Sequence, residues 1–225
     1  MGQLSASIAH EINQPLSGIA TNAAACLRML SADPPDINDA ARTIHRTLRD
    51  AKRASEVITR LRSLFSKGDT TSELVDLNAA TREVITLSLN ELRRADVVLK
   101  SELSDGLPLV TCNRVQIQQV IMNLLLNASE AMGGVYDRPR ELVVRTEDDQ
   151  GAGVRLTVRD TGPGFETHSA DKLFEAFYTT KSGGMGMGLS VSRSIIENHH
   201  GRLWAAHNEG PGATFAFSIP GKLDG

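Results

Sequence analysis

The chain has 225 residues, 40% hydrophobic and 23% charged, and this composition excludes disorder as its dominant state. A formal net charge of −3 gives no electrostatic basis for nucleic-acid binding, and no apolar run approaches the roughly 20 residues of a membrane span. Cys26 and Cys112 stand far apart without a CxxC pair and no secretory signal opens the chain, so it reads as cytoplasmic, without a disulfide framework or a cysteine-based zinc site.

The first 67 residues read as helix. Ile8, Ile12, Leu16, Ile19, Ala23 and Leu27 recur at spacings of three and four, which is one apolar helical face. Ser31-Ala32-Asp33-Pro34-Pro35-Asp36 breaks it, since two prolines cannot continue a helix interior, and Asp36 is placed to cap the next helix. There Ile37, Ile44, Ala51, Ile58 and Phe65 repeat every seven residues, with Ala40, Ala54 and Leu61 filling a second seam. Two arms of about 30 residues, roughly 45 Å each, bury too little surface to stand alone. The expectation is therefore an all-α hairpin that self-associates into a dimeric four-helix bundle.

Residues 68–74 read as a polar linker, and the pattern then changes. Strands are expected at 75–77, 97–99, 109–111, 142–144, 154–158, 202–206 and 213–219. Helices are expected over 78–94 with Asn78 as cap, over 113–132 and over 189–199. Mixed helices and strands over 75–221 make an α+β sandwich. The charge divides with the pattern: the first 68 residues carry nine Lys+Arg against six Asp+Glu, the rest fifteen against twenty-one.

No GxxxxGK[ST] phosphate loop is present. Two other glycine clusters are: Asp160-Thr161-Gly162-Pro163-Gly164, and Gly184-Met185-Gly186-Met187-Gly188, which runs into a helix. Glycines admit close backbone approach and a helix N-terminus attracts phosphate, although a surface loop accounts for either cluster as well. Asn123 and Asn127 lie four apart on one helical face among apolar neighbours. Amides there require polar company, and an amide oxygen suits a magnesium ion; a buried amide network is the plain alternative.

Asn123-Leu124-Leu125-Leu126-Asn127-Ala128, the two glycine clusters, Phe174-Glu175-Ala176-Phe177 and Gly210-Pro211-Gly212-Ala213-Thr214 follow one another over about 100 residues. Together they resemble the N, G1, F, G2 and G3 boxes of sensor histidine kinases, which implies the Bergerat ATP-binding fold shared with gyrase, the Hsp90 chaperones and MutL. By that resemblance the chain takes ATP and Mg2+. Asn127 is the magnesium ligand and Asn123 lines the same face. Asp160 accepts from the adenine amino group, with Gly162 and Gly164 at the pocket edge. Phe174 and Phe177 anchor a lid that carries Lys181; Gly184, Gly186, Gly188 and the adjoining Leu189 meet phosphates; Thr214 closes the adenine side. Hydrolysing members of the superfamily carry a glutamate where this chain has Asn123, and an amide is a poor general base. The γ-phosphate is therefore expected to reach another acceptor.

Ser7-Ile8-Ala9-His10-Glu11-Ile12-Asn13-Gln14-Pro15-Leu16 resembles the H-box of the same kinases. His10 stands about 200° around the helix from Ile12, away from the apolar seam. Glu11 is placed to accept from Nδ1, leaving Nε2 as nucleophile. By resemblance His10 takes the γ-phosphoryl group and passes it to an aspartate of a response-regulator receiver domain. Gln14 stands where many relatives carry Thr or Asn, a position tied to dephosphorylation of the regulator. The competing function is a dimeric docking scaffold that binds nucleotide without transfer. His199 and His200 are expected at a helix end as dipole-favoured cations. Only nine residues precede His10, so input is expected from a missing segment or a separate protein.

Overall fold

In the computed structural model the described backbone comprises residues 2–65, 72–166, 170–179 and 186–221, with side chains throughout except those of 2–15, 52, 53 and 55–65. The chain divides into two compact units, Met1–Lys67 and Gly68–Gly225.

The first unit is a helical hairpin of α1 (Gly2–Leu30) and α2 (Ile37–Phe65). Asp36 caps α2, its Oδ1 accepting from the Asp39 N–H at 3.0 Å. The two helices meet through small and polar residues. Cys26, Ala40, Thr43 and Ala54 are buried between them, and Asn22 Nδ2 donates to Asp50 Oδ2 at 3.0 Å. The large apolar side chains turn elsewhere: Leu16, Leu27, Leu30, Ile37, Ile44 and Leu48 are all exposed, Leu27 and Ile37 by about two thirds (66% and 67%). Of the α1 face read from the sequence, Leu16, Ala23 and Leu27 therefore do not pack on α2. The heptad seam of Ile37, Ile44 and Ala51 is likewise open to solvent.

The second unit is a two-layer sandwich. Its sheet runs β2 (Val98–Leu103), β4 (Glu141–Asp148), β5 (Gly153–Asp160), β7 (Ala213–Pro220) and β6 (Arg202–His207), antiparallel except for the β2–β4 pair. A two-stranded ribbon pairs β1 (Glu73–Val75) with β3 (Val110–Cys112). The helices are α3 (Leu77–Arg94), α4 (Arg114–Ala131) and α5 (Gly188–Asn198). Alternate strand residues Leu142, Val144, Val154, Leu156, Val158, Phe217 and Ile219 meet Ile117, Ile121, Leu124 and Leu125 of α4 and Val191, Ile195 and Ile196 of α5 in one core.

Three local expectations are corrected. β1 begins at Glu73, inside the stretch read as linker. Asp76, not Asn78, caps α3, its side chain accepting from the Asn78 and Ala79 N–H groups. Asn78 is buried instead, donating to the Ser104 carbonyl at 2.7 Å and accepting from Thr146 Oγ1 at 2.6 Å, so it ties α3 to the sheet. His199 is no solvated cation. Its Nε2 accepts the Asn113 N–H at 3.0 Å and its Nδ1 donates to the Ile195 carbonyl at 2.7 Å, which requires a neutral ring pinning the end of α5 to the start of α4. Nearby Cys112 is fully buried, and burial first, then the Glu73 carboxylate, push its thiol up from 9.0 to about 11.

Candidate functional site

α4 forms the floor of the site. Asn113 caps it through a 3.0 Å bond from the Gln116 N–H, and the buried Ile121, Leu124 and Leu125 fix which face turns to the core. Asn123, Asn127 and Ala131 then recur every four residues along a neighbouring face. At Asn123 the first turn of α5 arrives: a Cβ at Gly188 would stand 2.5 Å from Asn123 Oδ1, so the glycine lets the helix start close over that amide. Asn123 Nδ2 donates to Ser192 Oγ at 2.9 Å, which commits that amide to joining the two helices. At Ala131 the turn after β5 arrives, with Gly162 packed over the Ala131 side chain. The two glycine loops thus close on α4 eight residues apart, about 12 Å along its axis. Asn127 lies midway between them, half-buried, with no side-chain hydrogen bond among the described residues.

Asp160 ends β5 and is buried, 2% exposed. Oδ1 accepts from the N–H groups of Gly162 at 2.8 Å and Ala213 at 3.3 Å. A second loop reaches the same point because residue 212 is glycine: its φ is +98°, and a Cβ there would lie 1.9 Å from the Asp160 carbonyl oxygen. Gly164 packs against the Gly212 carbonyl in turn. Two backbone donors and burial at one carboxylate make a rigid, water-shielded acceptor.

The segment after Gly164 is described in parts. Phe174 ends a 3₁₀ turn, Lys172–Phe174, and is buried in the core, edge-on to Phe215 with centroids 6.4 Å apart. The Arg193 guanidinium covers its ring at 5.4 Å. Phe177 is half-buried with φ of +71°, and its N–H donates to the Gly186 carbonyl at 3.0 Å. Leu189 is partly buried and packs against the core. Lys181 and Gly184 lie outside the described residues. His10, Glu11 and Gln14 lie in α1, and their side chains are outside those described.

Thr214 stands apart from the other expected pocket residues. It pairs with Arg159 across β5 and β7, so its side chain leaves the sheet on the face opposite the Asp160 carboxylate. Ala213 is the residue beside Asp160. Thr214 Oγ1 donates instead to Asn208 Oδ1 at 2.6 Å, and Asn208 Nδ2 donates to the carbonyls of Asp160 at 2.9 Å and Pro211 at 3.0 Å. Asn208 and Ser192 carry no sequence signal beyond being short polar residues near glycines. Among the described residues no three His, Cys, Asp or Glu side chains converge as for a metal ion, and no helix is long and apolar enough to cross a membrane.

Two family descriptions match the chain: His Kinase A (phospho-acceptor) domain over residues 1–70, and Histidine kinase-, DNA gyrase B-, and HSP90-like ATPase over residues 112–223. The sensor protein FixL of Bradyrhizobium diazoefficiens is 41% identical over 224 residues, which are 98% of this chain and 43% of FixL. The catalytic domain of histidine kinase ThkA is 34% identical with a TM-score of 0.59, over 66% of this chain and 95% of that domain. ThkA in complex with response regulator protein TrrA gives 28% identity and a TM-score of 0.72, over 97% of this chain and 61% of that one. The chain spans less than half the length of the curated relatives it matches.

Proposed function

The chain belongs to the sensor histidine kinases, and from that premise we propose that it binds ATP in the second unit, phosphorylates His10 in the first, and passes the phosphoryl group to an aspartate of a response-regulator receiver domain. The observation that carries this reading is the 12 Å span on α4, about eight residues at 1.5 Å each, with a glycine loop at either end and Asn127 between.

At one end Asp160 accepts the adenine amino group, with Gly162 and Gly164 shaping the edge. At the other, Gly184, Gly186 and Gly188 bring backbone N–H groups of the α5 N-terminus to the phosphates, where anions are favoured. Lys181, Phe174, Phe177 and Leu189 belong to the closing side of this pocket, and Asn123 fixes α5 rather than touching the nucleotide first. The amide oxygen of Asn127 fits a hard cation, and it would hold the Mg2+ that neutralises phosphate charge when bound. Glu11 accepts from His10 Nδ1–H and directs Nε2 outward. Nε2 forms a bond to the γ-phosphorus as the bond to the β–γ bridging oxygen breaks, and ADP leaves. The receiver carboxylate takes the group from Nε2 in the same manner. Gln14, one turn from His10, orients water for the reverse hydrolysis of the regulator.

Residues 1–67 serve as the dimerisation and phosphotransfer hairpin, 68–72 as linker and 73–221, from the start of β1, as the ATP-binding domain, and the enzyme works in the cytoplasm. The open seam of Leu16, Leu27, Ile37, Ile44 and Leu48 supports a homodimer, since a second hairpin covers such a stripe as a four-helix bundle.

The test is incubation with γ-labelled ATP and magnesium, comparing the protein with His10→Gln. Label that is lost in acid, kept in base and absent from His10→Gln is expected. Nucleotide binding without label in the intact protein would replace this reading with the docking scaffold.

A further inference from the structure

We infer that Arg138 is a positioning residue for adenine selection, acting through the turn that carries the Asp160 carboxylate. The inference rests on the role of Asp160 proposed above.

β4 and β5 pair as far as Leu142 and Asp160, and there the ladder ends. The next two residues of the β5 side, Thr161 and Gly162, leave the sheet with carbonyls that no strand satisfies. Arg138, in the connection between α4 and β4, takes both: Nε donates to the Thr161 carbonyl at 2.9 Å and Nη2 to the Gly162 carbonyl at 3.0 Å. Its Nη1 holds Asp137 at 3.0 Å. The Thr161 hydroxyl reinforces this grip, donating to the Pro139 carbonyl at 2.8 Å and accepting the Glu141 N–H at 2.9 Å. Asn208 holds the Asp160 carbonyl from the other side. Three consecutive carbonyls, 160 to 162, are thus each captured by a side chain remote in sequence.

Arg138 supplies the forked part of this arrangement. A guanidinium presents parallel donors in a rigid plane, which matches two adjacent carbonyls; a lysine ammonium offers one mobile point. What the fork fixes is Gly162, whose N–H is the shorter of the two backbone bonds to Asp160 Oδ1. Release of the Gly162 carbonyl lets that donor swing away and loosens the carboxylate's orientation, leaving the longer Ala213 N–H bond to Oδ1. Adenine offers an amino group where guanine offers a carbonyl oxygen, so a fixed carboxylate accepts from one and repels the other. A carboxylate that can rotate or hydrate discriminates less, because selectivity depends on acceptors held within about 0.5 Å.

The experiment measures ATP and GTP affinity and the steady-state rate of His10 labelling in the intact chain, in Arg138→Ala and in Arg138→Lys, with melting temperatures alongside. Loss of the charge-assisted bond to the Gly162 carbonyl, together with its neighbour to Thr161, predicts an ATP-over-GTP preference reduced about tenfold in Arg138→Ala. The loss falls on the affinity for ATP, while labelling at saturating ATP stays within about twofold. Arg138→Lys recovers little of it, and being the milder change it answers the question even where the alanine variant does not fold. Asp160→Asn serves as reference. If it abolishes the preference and a folded Arg138 variant leaves the ATP-to-GTP ratio unchanged, the inference is overturned while the Asp160 reading stands. An equal loss of affinity for both nucleotides also overturns it, because a merely structural residue acts that way. An intact chain with no preference for ATP removes both.

Discussion

The hairpin and the nucleotide unit bury opposite kinds of residue. Between α1 and α2 lie Cys26, Ala40, Thr43, Ala54 and the Asn22–Asp50 bond, while leucines and isoleucines face outward. In the nucleotide unit the large aliphatics are inside, and Ile117, Ile121, Leu125, Leu156 and Phe217 are within 1% of complete burial. One unit has a finished core; the other has a narrow internal seam and an open apolar face. The difference teaches that a helix pair can be made to depend on a partner by placing its smallest residues at its own interface.

The sharpest way to break this contrast is to charge the open face. Ile44→Glu with Leu48→Glu is expected to convert dimer to monomer completely in light-scattering mass measurements, since each aliphatic contributes roughly 1.5–3 kcal/mol and a two-fold interface counts it twice. ATP affinity of the nucleotide unit should stay unchanged. Next is Leu125→Ala, fully buried under the site. Urea unfolding should show a loss of about 2–5 kcal/mol, independent of protein concentration, in contrast to the hairpin. Gly212→Ala should cost about 3 kcal/mol, because the new methyl meets the Asp160 carbonyl at a φ of +98°, and ATP affinity should fall with it. Cys112 gives a smaller, pH-dependent signature. With its thiol raised from 9.0 to about 11 in the folded chain, ionisation favours the unfolded state. Stability should be flat below pH 9, fall between pH 9 and about 11 and level above, and Cys112→Ala should remove that limb. Smallest is Asn22→Ala, expected to cost about 1 kcal/mol in the melting of the hairpin, as for one half-buried hydrogen bond.

Much of this was legible in the sequence, and the parts that were not share a cause. Helix periodicity, the Pro34-Pro35 break and the Asp36 cap are local, and the glycine clusters announce close approaches that only glycine permits. Which side of the apolar stripe faces α2 was not local: Leu16 and Leu27 read as one seam with Ile19, yet small residues a few positions away let the helices approach more closely. Its motif points Thr214 at the pocket, while strand register gives that face to Ala213. Asn78 reads as a cap and His199 as an end-of-helix cation, but each is claimed by backbone or side-chain groups tens of residues away. Arg138 and Asn208 act on carbonyls, which look alike at every position of a sequence.

Val110 pairs with Val75 on one side and bridges Gly221 on the other. At one strand spacing each, the entry and exit of the nucleotide unit lie about 10 Å apart. A module whose ends emerge side by side can be re-cut without being re-folded. Joining them by a short Gly-Ser link and opening the turn at the exposed Gln150 and Gly151 would give a circular permutant that keeps every strand pairing. Such a permutant should still bind nucleotide, detached from any hairpin, which makes this unit a portable cassette.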